Sequence, residues 1–157
     1  MDNVIVTPAE VVALVFADGG YVAPEAIGQA DIAAAVHRWV EPVAGAALCR
    51  AVAAGEYPEA KEYFAAAAAA ATRLEVQPRL NAATGQAGLT QASNIYAVAA
   101  AESARIELMR SLRVEVNIQL RRLSEYLDEN AATMAEYDPR RNVLNRCVTD
   151  GGFVQIL

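Results

Sequence analysis

The stretch from Met109 to Leu127, MRSLRVEVNIQLRRLSEYL, decides the fold. Its large apolar side chains recur at steps of three and four residues, which places them on one face of an α-helix. They are Met109, Leu112, Val116, Leu120, Leu123 and Leu127. A second apolar line, formed by Ile106, Val114 and Ile118, is expected to widen this stripe. The pattern predicts one helix from about Tyr96 to Asn130, roughly 50 Å long.

An alanine-rich segment predicts a second helix before it. The chain has 35 alanines, and seven of them form the unbroken run Ala65–Ala71. Alanine has the best helix propensity and the smallest side chain of the good helix formers, so this run favours close helix packing. We expect a helix from Pro58 to about Leu74, which Pro78 ends or bends.

The N-terminal third predicts two more helices. Thr7-Pro8-Ala9-Glu10 has the pattern of a capping box and starts a helix that runs to about Ala17. This helix is apolar on nearly all sides, so we expect it to be buried. The next helix begins near Gln29, kinks or restarts at Pro42, and ends at Gly55.

Residues 81–95 show neither helical periodicity nor strand alternation. A loop of this length is uncommon inside a compact domain. Two interpretations remain open: an extended arm or hairpin that becomes ordered against another subunit, or a plain surface loop. Under the first interpretation the contact residues are Gly85, Gln86, Gly88 and Leu89.

The C-terminal segment predicts a short hairpin. Asp150-Gly151-Gly152 separates two β-prone runs, a typical hairpin pattern. Because a short hairpin is marginal by itself in water, we expect it to pair with its own core or, in preference, with an adjacent subunit. The contact residues are then Phe153, Val154, Ile156 and Leu157. The chain divides into a helical domain, 1–136, and an extended tail, 137–157.

Charge and residue usage exclude several kinds of function. The net charge is -6, which argues against tight nucleic-acid binding. Two cysteines and one histidine cannot form a four-ligand zinc site alone. No stretch has the length and apolarity of a membrane span, and the N-terminus lacks a signal-peptide pattern, so a soluble protein is expected. We predict no catalytic residue, no metal and no cofactor.

Two alternatives to a structural role stay open. Glu56, Glu59 and Glu62 could face Mg²⁺ in an all-α nucleotide pyrophosphohydrolase, although acidic residues also favour the start of a helix for electrostatic reasons. The second alternative is a generic helical interaction module with some other protein partner.

Several segments, taken in order, resemble those of one kind of phage protein. They are Val6–Val11, Ala30–Ile32, Glu41–Gly45, Tyr57-Pro58, Val76–Leu80, Thr84–Leu89, Asn142–Cys147 and Asp150–Val154, together with the long final helix. In this order of elements the chain resembles the small, mostly helical head-tail connector proteins of tailed bacteriophages and prophages, which are also called adaptor, neck or head-completion proteins. The likeness covers nearly the whole chain.

The resemblance implies a mainly all-α fold and a structural role in the virion. Subunits of such proteins form a homo-oligomeric ring, commonly of twelve copies, beneath the portal protein. The ring extends the DNA channel and docks tail or neck proteins, while DNA passes through without specific binding. The family implies no catalytic residues, no cofactor and no membrane contact. Assembly would take place in the cytoplasm of the host bacterium.

Overall fold

The protein is an all-α fold, as predicted. The computed structural model describes residues 4–16, 22–81 and 102–146, and the backbone of residues 149–150 and 153–154. Its α-helices are α1 (Pro8–Val15), α2 (Gln29–Ala35), α3 (Glu41–Ala44), α4 (Ala46–Ala54), α5 (Lys61–Asn81) and α6 (Glu102–Glu129). A π-turn, Val36–Val40, joins α2 to α3, and 3₁₀ turns lie at Pro24–Ala26, Ala131–Thr133 and Val143–Asn145. Two short strands, β1 (Thr149–Asp150) and β2 (Phe153–Val154), pair antiparallel.

Helix α5 packs against α6 along most of its length and also contacts α1, α2 and α4. The alanine run lies at these contacts, and Ala67–Ala71 are all at most 4% exposed. Methyl groups are the smallest side chains that still exclude water, so the neighbouring helices can approach the α5 backbone closely. The predicted packing role of this run is confirmed.

The main apolar stripe of α6 is also confirmed. Leu112, Val116, Leu120, Leu123 and Leu127 are buried, and Met109 is partly buried. The expected second line was wrong: Ile106 and Val114 are 53% exposed and Ile118 is 47% exposed. At 100° per residue, Val114 and Ile118 point about 160° away from Val116, so they face outward when the stripe faces α5.

Helix α1 begins with the predicted capping box. The Thr7 amide donates to the Glu10 carboxylate at 2.7 Å, and the Glu10 amide donates to Thr7 Oγ1 at 3.3 Å. These hydrogen bonds lower the pKa of Glu10. The helix ends at Val15, and Leu14 is 52% exposed, so the expected all-round burial was wrong. Only one side of α1 faces the core, where Val11 is fully buried.

The chain direction changes at Gly45, three residues after the expected break at Pro42. Pro42 lies in the first turn of α3, directly after the π-turn, in which the Glu41 amide donates to the Val36 carbonyl. A wider turn makes room for the proline ring, so the helical path continues. Gly45 then adopts φ 88°, a left-handed value that favours glycine. Gly55 ends α4 in the same region, as predicted, with φ 87°.

Helix α5 continues to Asn81, past the predicted end near Leu74, and includes Pro78. Its last turn is held by a tertiary contact. Arg79 donates to the Asp31 carboxylate at 2.7 Å and to the Ala26 carbonyl at 3.0 Å. This contact lowers the pKa of Asp31. Because proline weakens a helix mainly by removing one backbone donor, an ion pair to α2 can compensate near a helix end.

Candidate interaction surface

A buried polar network attaches the chain after α6 to α6 itself. Asn142 is 1% exposed, and its amide nitrogen donates to Ser124 Oγ and to the Tyr137 hydroxyl, each at 2.8 Å. Its side-chain oxygen accepts from the Leu144 amide at 3.0 Å. Both amide hydrogens and the amide oxygen are therefore used, which is the usual condition for burying an asparagine.

Asp128 completes this network. Its carboxylate accepts from the Tyr137 hydroxyl at 2.6 Å and from Asn145 Nδ2 at 2.9 Å. We call Ser124, Asp128, Tyr137, Asn142 and Asn145 the C-terminal clamp. Ser124 and Asp128 lie four residues apart, on one side of α6. The clamp fixes residues 137–146, the first part of the predicted extended tail, against the helical body.

The pKa of Tyr137 is raised from 10.0 to about 12, first by burial and then by its hydrogen bond to Asp128. The folded chain therefore holds this proton more tightly than the unfolded chain does. The resulting stabilisation is complete below pH 10 and is lost as the pH rises through about 12.

We expect the free energy of unfolding, measured in urea from pH 9 to pH 12, to fall across this range. Replacing Tyr137 by Phe should make the decline shallower, because the raised proton affinity is removed. Tyr57 and Tyr126, whose pKa values are also raised, remain in both proteins and serve as the internal control. Equal slopes for the two proteins would contradict the pKa assignment.

The structure places the predicted contact residues only in part. Gly85, Gln86, Gly88 and Leu89 of the predicted arm, and Ile156 and Leu157 of the tail, lie outside the described residues. The backbone of Phe153 and Val154 forms β2, with Asp150 opposite Phe153 and Thr149 opposite Val154. This antiparallel register agrees with the predicted hairpin. The clamp thus precedes the strand pair by three residues.

A groove of about 700 Å³ lies between the clamp segment and the start of α4. Its apolar lining includes Val43, Ala47 and Val143, and three arginines, Arg50, Arg141 and Arg146, also line it. We call it the arginine groove. Arg146 Nε donates to the Arg140 carbonyl at 3.3 Å, while the guanidinium groups of Arg50 and Arg141 make no hydrogen bond or ion pair with any described residue.

The acidic side chains that line the same groove already have intramolecular partners. Glu41 Oε2 lies 2.7 Å from His37 Nδ1. Glu136 accepts from the Tyr57 hydroxyl at 2.6 Å, and Asp138 accepts from the Arg140 amide at 3.0 Å. The groove therefore offers guanidinium groups to an incoming anion, whereas its carboxylates are occupied.

The reactive side chains that the sequence raised are not gathered into one site. Cys49 is buried, and burial raises the pKa of its thiol to about 12, so it stays protonated near neutral pH. His37 is exposed beside Glu41. Glu56, Glu59 and Glu62 are exposed near the start of α5. Among residues 4–16, 22–81 and 102–146, no three His, Cys, Asp or Glu side chains are placed to hold a metal ion.

The clamp and the arginine groove were not predicted from the sequence. A usable signal existed for the clamp: Ser124 falls beside the apolar stripe of α6, and Asn142 and Asn145 follow the turn at Asp138-Pro139. An asparagine near a turn is normally expected at the surface, so this signal did not predict burial. No comparable signal existed for the groove, because its arginines come from two distant segments.

Comparison with known proteins adds no relative: no protein-family model, curated protein or solved structure matches this chain. Within the described part of the chain, no helix is both long enough and apolar enough to cross a membrane.

Proposed function

We propose that this protein is a structural subunit of a phage virion, a head-tail adaptor. Copies of it form a ring beneath the portal protein, commonly of twelve subunits in proteins it resembles. The ring extends the DNA channel and provides the surface on which the tail or neck proteins dock. Its net charge of -6 suits a channel through which DNA passes without being held.

The observation that carries the proposal is the construction of the C-terminal segment. Residues 137–146 are fixed to α6 by the buried clamp, and a strand pair of only two residues per strand follows. Such a short pair is not stable alone, and no other strand among the described residues pairs with its outer edges. This strand pair is anchored to the helical body but is too short to be a stable sheet. We therefore expect another protein to add strands to it.

The exposed apolar side chains of α6 support the same role. Val114 and Ile118 lie one turn apart on the outward face and are about half exposed. Ion pairs such as Glu107 with Arg110, at 3.2 Å, flank them. Neighbouring apolar groups with a polar surround are typical of protein contact surfaces. In a ring, one such surface is repeated around the whole assembly.

The test is assembly with the portal protein encoded in the same genome. Electron microscopy of the co-purified proteins should show a ring of this chain coaxial with the portal. Replacing Phe153 and Val154 together by Asp should abolish this association, while the melting temperature stays within about 2 °C, since the clamp is left intact.

A matched control replaces Ala33 and Ala34, which are exposed on α2, by aspartate. It adds the same charge as the Phe153 and Val154 variant. This variant should still join the portal. A wild-type chain that remains strictly monomeric and never enters a portal-containing particle would overturn the proposed function.

A further inference from the structure

The chain after α6 forms a local unit of its own, which we call the terminal unit, residues 134–146. Among the described residues, each backbone–backbone hydrogen bond of this unit joins two of its own members. Examples are the Tyr137 amide with the Met134 carbonyl, at 3.1 Å, and the Arg141 amide with the Asp138 carbonyl, at 2.9 Å. The unit therefore keeps its internal hydrogen bonds wherever it docks.

Side chains join the terminal unit to the rest of the fold. The C-terminal clamp attaches it to α6, and the Tyr57 hydroxyl donates to the Glu136 carboxylate at 2.6 Å. Met134 is buried, but Val143 is 40% exposed and the arginine groove separates the unit from the start of α4. Because the clamp residues are polar, water can solvate them when the unit is undocked. None of these contacts requires the unit and the helix to belong to one chain.

A single residue turns the chain at the end of α6. Helix α6 ends at Glu129, and the 3₁₀ turn Ala131–Thr133 follows at once. Asn130, between them, has φ -106° and ψ 11°, and its side chain donates to the Tyr126 carbonyl at 2.8 Å. The two alanines of the turn favour an α-helix. Rotation of the backbone at Asn130 would thus let α6 continue and carry the terminal unit away from its own subunit.

We propose that each subunit docks its terminal unit on α6 of the next copy of this chain. Ser124 and Asp128 of one copy then bind the unit of its neighbour through the same clamp contacts. The exchange conserves these hydrogen bonds, which makes it a route to assembly of low energetic cost. Every copy gives one unit and receives one, the head-to-tail pattern that can close a ring. This inference rests on the proposed adaptor function and assigns a contact between its subunits.

Crosslinking distinguishes an exchanged unit from one that stays on its own chain. The variant carries Tyr57→Cys and Glu136→Cys, two contacting positions outside the clamp, and Cys49→Ala and Cys147→Ser remove the native thiols. A short bis-maleimide then joins the new thiols. Rings assembled on the portal should give covalent multimers on a denaturing gel. Free monomer should give internally crosslinked monomers, which shows that the reagent spans the contact.

Mixing excludes the route within one chain. Tyr57→Cys and Glu136→Cys are placed on separate chains, without native thiols, and the chains are mixed before assembly. They should give about tenfold more covalent dimer than a control mixture with Arg113→Cys in place of Tyr57→Cys, because a built contact raises the effective concentration of the thiols. Arg113 is exposed on the first half of α6. Asp128→Cys with Asn145→Cys, whose side chains lie 2.9 Å apart, is a second and independent pair.

The outcomes separate the two proposals. Thermal melts and electron microscopy first show which variants fold and form rings. Rings that give only internally crosslinked monomers, or mixtures that crosslink no better than the control, mean that each unit stays on its own α6. The exchange is then wrong while the adaptor function stands. Wild-type chain that never assembles, with or without portal, overturns the adaptor function itself.

Discussion

Truncating Leu123 to alanine is expected to lower the free energy of unfolding by about 3 kcal/mol, within the range of about 2–5 kcal/mol for buried Leu→Ala changes. Leu123 is completely buried in the stripe that α6 presents to α5. The cost has two parts: the lost transfer free energy of the removed carbons, and the cavity that the rigid alanine face of α5 cannot fill. In a chain of this size the melting temperature should fall by roughly 6–12 °C.

The matched control is Ile118→Ala, five residues earlier on the same helix. Ile118 is 47% exposed, so truncation removes little buried surface and alanine has the higher helix propensity. Urea unfolding should place this variant within about 0.5 kcal/mol of wild type. Equal losses for the two variants would mean that the outward face of α6 belongs to the core.

Replacing Asn142 by alanine is expected to cost about 3 kcal/mol, since three hydrogen bonds are lost at once. Their partners are the Ser124 hydroxyl, the Tyr137 hydroxyl, which keeps its bond to Asp128, and the Leu144 amide. Ser124 and Asn142 are 5% and 1% exposed, so water replaces the lost hydrogen bonds poorly. Chemical unfolding followed by circular dichroism measures the loss.

Asn117→Ala is the control for the same chemical change. The side chain of Asn117 is exposed on α6 and makes no hydrogen bond with described residues, so its removal should change stability by less than about 0.5 kcal/mol. Limited proteolysis adds a local readout: cleavage after Arg140 or Arg141 should become faster in Asn142→Ala than in the control. An unchanged cleavage rate together with unchanged stability would show that the clamp does not fix residues 137–146 to α6.

The parts of the fold that the sequence predicted correctly are those decided by local patterns. The buried stripe of α6 follows from residue spacing, the start of α1 from Thr7 and Glu10, and the end of α4 from Gly55. Each of these depends on residues within one or two helical turns, so no knowledge of the tertiary structure is needed.

The errors arose where a distant residue changes a local preference. Pro78 predicts a helix end, yet Arg79 ties the last turn of α5 to Asp31, 48 positions earlier. Ile118 has the hydrophobicity of a core residue, but the position of α5 determines which face of α6 is buried. The candidate site was harder to predict from the sequence than the fold, because Arg50 and Arg141 come together only when the clamp holds the last segment against α6.

The alanine run of α5 has a consequence for mutational tolerance. Five consecutive helical positions, Ala67–Ala71, sweep more than a full circle around the axis, and all five are buried. The helix is therefore enclosed on every side at this level. Because only glycine is smaller than alanine, almost every substitution here adds volume where no space exists. Substitutions should be tolerated as poorly at these five alanines as at the buried leucines of α6. Hydrophobicity alone would predict a higher tolerance at the alanines.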